Sequence, residues 1–310
     1  MHLRVIMPSD LTPTVVGSLR ADPAATNLIV MPGAAQQPQG DVLLVDVARE
    51  GADAVLGTLR ELGIERTGSI AVEDVGFSFS DAADRAERAA PGLGADSVIW
   101  DTVEQRSGEE TQISITYLVL MAVATMIAGV GVIIDQPILI VGAMVVGPDF
   151  GPLAALCVGI VRGRPRIIGR SVLAIVVGFV VGMAATVGST LALNALGLVD
   201  FHTFVQEHPN LDFIWLPDAL SWVIAFLAGV AGVISLTSTK SGALVGVAIS
   251  VTTVPAAANA AAALAYEVPY ETVGALAQLG INIVSIVIGG VLTLSIQRVW
   301  SRSQRSARAK

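Results

Sequence analysis

The sequence predicts an α+β domain of ferredoxin-like plan followed by an all-α membrane domain of six helices, built as a 3+3 inverted repeat with two broken helices. Three observations predict it. Charge is concentrated in residues 1–110 and sparse in 111–300, in a chain that is 53% hydrophobic with a mean hydropathy of +0.71. That profile fits a polytopic membrane protein and not a soluble globule. Six apolar segments reach spanning length, and Lys and Arg fall only on alternate connections between them.

The first elements are short and mixed. LRVIMP (3–8) reads as a strand, followed by a helix over Leu11–Arg20 capped at Ser9 or Asp10. TNLIVM (26–31) is a second strand, PGAAQQPQG a turn, and DVLLVDVA (41–48) a third strand. ADAVLGTLREL (52–62) has apolar residues at helical spacing, and SIAVEDV (69–75) is a fourth strand. The order β-α-β-β-α-β over residues 1–92 is the ferredoxin-like plan. This domain has no phosphate loop and no metal-ligand cluster, which favours an interaction or scaffold role over a ligand sensor. Residues 93–112 read as a linker and interfacial helix, with Trp100 at the membrane surface.

The spans are expected at 113–134, 137–161, 167–197, 219–236, 241–265 and 273–299, with a basic tail at 300–310. Arg162, Arg164, Arg166 and Arg170 lie between the second and third, Lys240 between the fourth and fifth, and five more basic residues from Arg298 onward. The connections DQP (135–137), 200–218 and YEVPYE (266–271) hold no Lys or Arg. Such alternation puts both termini in the cytoplasm of a cell (inner or plasma) membrane protein. The start, MHLRVIMPSD, has too short an apolar run for a signal peptide. The acidic outer loops read as a solvated face, ahead of a cation-concentrating vestibule.

Residues 129–145 and 229–245 match at a constant offset of 100, sharing Gly129/Gly229, Val130/Val230, Ile134/Ile234, Gly142/Gly242, Ala143/Ala243 and Val145/Val245. Three spans per half invert the second copy, the arrangement of many secondary transporters, whose sites lie near the bilayer midplane. In the second span, Gly147-Pro148-Asp149-Phe150-Gly151-Pro152 places two prolines around an acid. At about 1.5 Å per residue from Pro137, Asp149 is roughly 18 Å deep in a core about 30 Å thick. Thr252, Thr253 and Pro255 in the fifth span fall at a similar depth. Pro152 and Pro255 are expected to start second half-helices, with Asp149 and Thr252 or Thr253 as their caps. Two half-helix N-termini would then point at the midplane. Asp149 either caps its own half-helix or binds a cation or proton, and the two readings are compatible.

Ser250, Asn259, Gln278, Asn282 and Ser285 are further polar groups at membrane depth, as site lining or as interhelical hydrogen bonds. Gln278 and Asn282 share one face of the sixth span. Gly178 and Gly182 form a GxxxG, usable as a homodimer face or for packing inside one chain.

The segments ILIVGAMVVGPDFGPLAALCVGIVRGRPRIIGRS and AGVAGVISLTSTKSGALVGVAISVTTVPAAANAAAALA resemble the hydrophobic-domain family labelled domain of unknown function 389, over about 113–299. Its first break commonly reads Ser-Pro-Leu-Met-Gly-Pro. Pro148, Gly151 and Pro152 keep that pattern and Asp149 departs from it. The resemblance implies the architecture and names no substrate.

A secondary transporter of a small polar or charged solute, proton- or cation-coupled through Asp149 and regulated by the cytoplasmic domain, accounts for most of these features. A channel lined by the same breaks and a membrane sensor signalling through the N-terminal domain are the alternatives. An enzyme is not expected: Asp149 is the only deep acid, and neither Cys157 nor any of His2, His202 and His208 makes a catalytic or metal-binding set. The expected partners are the bilayer, a small-molecule or ion substrate and a second copy of the chain, with no cofactor, metal or nucleic acid.

Overall fold

The computed structural model describes residues 1–73, 75, 80–89, 100–199, 201, 204, 219–237 and 243–308, leaving aside the side chains of 87, 89, 101, 102, 106, 243–252 and 301–308. The chain divides into two compact units, one centred on Met1–Asp101 and one on Thr102–Trp300.

The first unit contains β1 (His2–Met7), α1 (Thr12–Ala21), β2 (Ala25–Gln36), β3 (Gln39–Val47), α2 (Arg49–Glu61), α3 (Ile64–Thr67), β4 (Ser69–Glu73) and α4 (Asp81–Ala89). The strands form one antiparallel sheet in the order β2-β3-β1-β4. Alternation sets its buried face: Leu3, Val5 and Met7 of β1 and Leu43, Val45 and Val47 of β3 are buried with Val15 and Leu19 of α1 and Val55, Leu56 and Leu59 of α2. α4 packs back on β2 and β3 and buries Ala86.

Two local expectations need correction. α1 starts one residue late with Leu11 at its cap and no side-chain cap. Ser9 instead donates to Asp41 Oδ1 at 2.7 Å, beside Thr12 to Oδ2 at 2.7 Å and the Gly33 N–H to Oδ1 at 2.9 Å. The stretch read as a turn is mostly strand. β2 runs on to Gln36 through register shifts between Met31 and Ala35, which Gly33 permits by adopting φ +64°.

The second unit is helical: α5 (Trp100–Glu110), α6 (Ile115–Ile133), α7 (Pro137–Val146), α8 (Phe150–Arg162), α9 (Pro165–Ala195), α10 (Ala219–Thr237), α11 (Ala243–Ala265) and α12 (Pro269–Arg308). Its starts and stops follow local chemistry. Ser114 accepts the Tyr117 N–H at 3.0 Å to cap α6, Pro137 and Pro165 open α7 and α9, and Gly163 ends α8 in the left-handed region at φ +66°. α6, α9, α10 and α12 are each long and apolar enough to cross a membrane, and α7 with α8 forms a further apolar pair bent by 57°. Exposed apolar side chains such as Ile115, Ile138, Val180, Leu227 and Ile288 give these helices lipid-compatible outer faces. The chain is a membrane protein by these criteria.

The connections meet at two ends. Arg162 and Arg164 hold Glu104, and Arg298 of α12 donates to the Val161 carbonyl. Phe204 stacks on Tyr266 at 5.2 Å, and Phe201 meets the same ring edge-on at 6.0 Å, so two loops without basic residues share a place. The rest of the 200–218 loop, Lys240 and the last residues of the tail lie outside the described residues.

Candidate functional site

The break in the second apolar segment is built by its own residues. Gly147 is extended (φ −64°, ψ 124°), as a residue before proline prefers, and Pro148 has no N–H to continue α7. α8 then restarts at Phe150 with Asp149 at its cap, and Pro152 occupies the first turn, where a missing N–H costs little. The Asp149 side chain makes no cap bond to α8. Its carboxylate turns outward and accepts the Thr253 hydroxyl of α11. Asp149 is 1% exposed and Thr253 fully covered. Among the described residues Asp149 is the only buried acid in the helical unit. Tyr117, whose hydroxyl donates to the Ala174 carbonyl at 2.9 Å, lies within electrostatic range of it.

The expected second break is absent. α11 is one continuous helix from Ala243 to Ala265, with Pro255 inside it. Proline there removes one intrahelical bond, leaving the Val251 carbonyl without its usual donor, but does not force the chain to restart. Thr253 is therefore a mid-helix donor to Asp149 and not a cap. The helix is also buried on every side: each residue from Thr253 to Ala263 is covered. Its alanines let α6, α7, α8 and α9 approach closely.

The remaining expected residues separate into smaller groups. Gly151 and Pro152 are buried in the first turn of α8. Asn259 donates to Glu271 Oε1 at 3.0 Å, and so is engaged at the start of α12. Gln278 donates to Asn282 at 3.4 Å on the buried face of α12, where the Gln278 Oε1 and the Ser285 hydroxyl lack protein partners. The side chains of Ser250 and Thr252 lie outside the described residues. Gly178 and Gly182 are covered by α6: an added Cβ would meet the Tyr117 hydroxyl at the first and Thr125 Oγ1, at 2.8 Å, at the second. That GxxxG is used for packing within the chain, not as a homodimer face.

Sequence reasoning placed a helix within residues 93–112 but missed the pairing of α5 with α8. The helix runs antiparallel along α8, with Glu104 bonded to Arg162 at 3.1 Å and to Arg164 at 2.6 Å, and with the Glu110 carboxylate against Gly151. A signal was present: Glu109 and Glu110 sit in the last turn of α5, which has no basic residue there, although acids are unfavourable at a helix C-terminus. The Glu110 side chain lies instead beside the N-terminal turn of α8, an end of a helix that favours an acid.

No curated protein and no solved structure matches the chain. Residues 144–288 match the family described as Domain of unknown function (DUF389), a shorter stretch than the resemblance read from sequence, taking in the break, α8 to α11 and half of α12. Over that stretch the helical unit is similar to the DUF389 family, in line with the resemblance carried by its Gly-Pro segments.

Proposed function

We propose that the helical unit is a secondary transporter for a small polar or charged solute, with its site at the Asp149–Thr253 junction. The observation that carries this reading is a buried carboxylate at a chain break, bonded to the middle of another apolar helix. An acid at such depth is costly and has a functional use by default. The buried carboxylate is a group that could exchange a proton or a cation, while the first turn of α8 offers N–H groups to an anionic portion of a solute.

Matched geometry supports a 3+3 inverted repeat. Gly129 approaches Thr186 and Gly229 approaches Ile286, so both members of each pair differ by 100. At the same offset Thr253 corresponds to position 153, one turn from Asp149, so the middle elements of the two halves touch at equivalent places. The break in α7–α8 has no counterpart in α11, so the repeat is asymmetric at the site. For the first unit, the strand order β2-β3-β1-β4 with α1 and α2 on one face supports the ferredoxin-like plan. The gathering of Arg162, Arg164 and Arg298 at one end supports a cytoplasmic placement of that end, and with it of both termini.

The test is a thermal-shift screen of ions and metabolites on the full chain and on Asp149→Asn, followed by flux into proteoliposomes for each hit. A compound that stabilises the wild type, fails on the variant and is carried in saturable, proton- or cation-driven flux is the expected result. Fast, unsaturable flux would make the protein a channel. Hits that stabilise both proteins equally would remove Asp149 from the site.

A further inference from the structure

We propose that α5 is a strap latched across α8, that Glu104 with Arg162 and Arg164 is the latch, and that releasing it uncovers the break at Asp149. The strap is fixed at both ends. At the C-terminal end of α8, the two oxygens of Glu104 are each taken by a different guanidinium, Arg162 on Oε2 at 3.1 Å and Arg164 on Oε1 at 2.6 Å. At the N-terminal end, the Glu110 carboxylate lies on Gly151, where any side chain would overlap it. Trp100, Val103 and Ser107 form the covered face of α5, and Thr111 just beyond its end is covered too.

The two ends differ in kind. Glu104 and its arginines are partly exposed, with side-chain exposures of 20%, 24% and 54%, so salt and a competing charge reach them. Glu110 is exposed while Asp149, two residues from Gly151, is 1% exposed. The Glu110 end of the strap thus lies at the boundary between water and the buried acid. Lifting α5 would uncover only Trp100 and Val103 among its apolar side chains, so the ion pairs carry much of its attachment. That lifting admits solute to Asp149 rests on the transporter reading; the latch itself does not.

The test uses the full-length protein in nanodiscs, with Cys157→Ala so that one introduced thiol reports. Maleimide modification is timed at Ser107→Cys, under the strap, and at Asp149→Cys, with Thr253→Cys replacing the latter should it not fold. With the latch intact both are expected to react at least tenfold more slowly than Glu109→Cys on the exposed face. Adding Glu104→Gln is expected to raise both rates tenfold or more, and Glu104→Arg with Arg162→Glu and Arg164→Glu to restore them. Rates unchanged by Glu104→Gln, or a fast Ser107→Cys from the outset, would overturn the latch. Acceleration at Ser107→Cys alone would overturn the guarding of the break. A failed ligand screen leaves these rates as they are, and failed rate changes leave an Asp149-dependent ligand standing.

Discussion

The Thr253 hydroxyl donates to the Asp149 carboxylate, joining a break in one apolar segment to the middle of an unbroken helix more than 100 positions later. Both groups are covered, so the bond forms where water cannot replace it.

Losing the donor should therefore matter more than losing the charge. Thr253→Val keeps the shape and deprives the carboxylate of one donor, an expected cost of about 1–3 kcal/mol. Thr253→Ser should stay near wild type, and Asp149→Asn, which keeps an acceptor oxygen, should cost less than Thr253→Val. Thermal unfolding of the three variants in detergent ranks them; a wild-type midpoint for Thr253→Val would show that the bond carries no stability.

Glycine positions of one sequence type should respond differently. A Cβ at Gly229 overlaps the Ile286 backbone, whereas one at Gly142 meets nothing within 4 Å. Gly229→Ala is expected to destabilise by about 1–3 kcal/mol or more through overpacking. Gly142→Ala should be neutral or up to about 1 kcal/mol stabilising through helix propensity. Equal effects at both sites would contradict the close crossing of α10 and α12.

Gly182 and Thr125 supply a covalent check on intrachain packing. In a Cys157→Ala background, Thr125→Cys with Gly182→Cys is expected to oxidise within one chain, because an added Cβ at 182 lies 3.0 Å from Thr125 Cγ2. Gel electrophoresis should show a faster monomer; a disulfide-linked dimer would return this face to an intermolecular role.

Asp41 gives the sheet-bearing unit a pH signature. The Gly33 N–H, then the Ser9 and Thr12 hydroxyls, hold its carboxyl below the usual range and outweigh its desolvation. A folded pKa lowered this way contributes stability that is present above the unfolded value, about 3.9, and is lost as pH falls through the folded value. Asp46, where desolvation pushes up but bonds from Asn27 and His2 prevail, adds the same sign. Hydrogen-exchange protection of the β1 and β3 amides should fall with acid below about pH 4. In Asp41→Asn it should start lower at neutral pH and fall less. An undiminished acid dependence in the variant would remove Asp41 as its source.

What was legible in the sequence was what local chemistry decides. Leu3, Val5 and Met7 announce a strand by alternation, and an acid inside an apolar run announces Asp149. Gly147-Pro148 announces a break because two neighbouring residues both disfavour helix. Pro255 looked like a second break by the same rule, but there the rule competes with packing. A helix enclosed by α6, α7, α8 and α9 can lose one backbone bond and stay straight enough to remain a helix. Thr253 was found by its depth, yet its role changed from cap to partner. The β2 extension was hidden because Gly33 and Pro38 are turn residues whose effect here is confined to bulges and the hairpin tip. The Glu104 pairs join positions nearly sixty apart in sequence, and no local pattern points to them.

The enclosure of α11 also bears on how the protein is made. From Thr253 to Ala263 this helix is nearly all small residues and has no face of its own for lipid. Alanine adds little to membrane partitioning beside Leu, Ile or Phe, so the segment has a weak claim on the bilayer when it leaves the ribosome. Its surroundings, α6 to α9, are synthesised first. The expected consequence is that the Thr253–Ala263 half of α11 is held at depth by packing against these earlier helices more than by its own hydrophobicity.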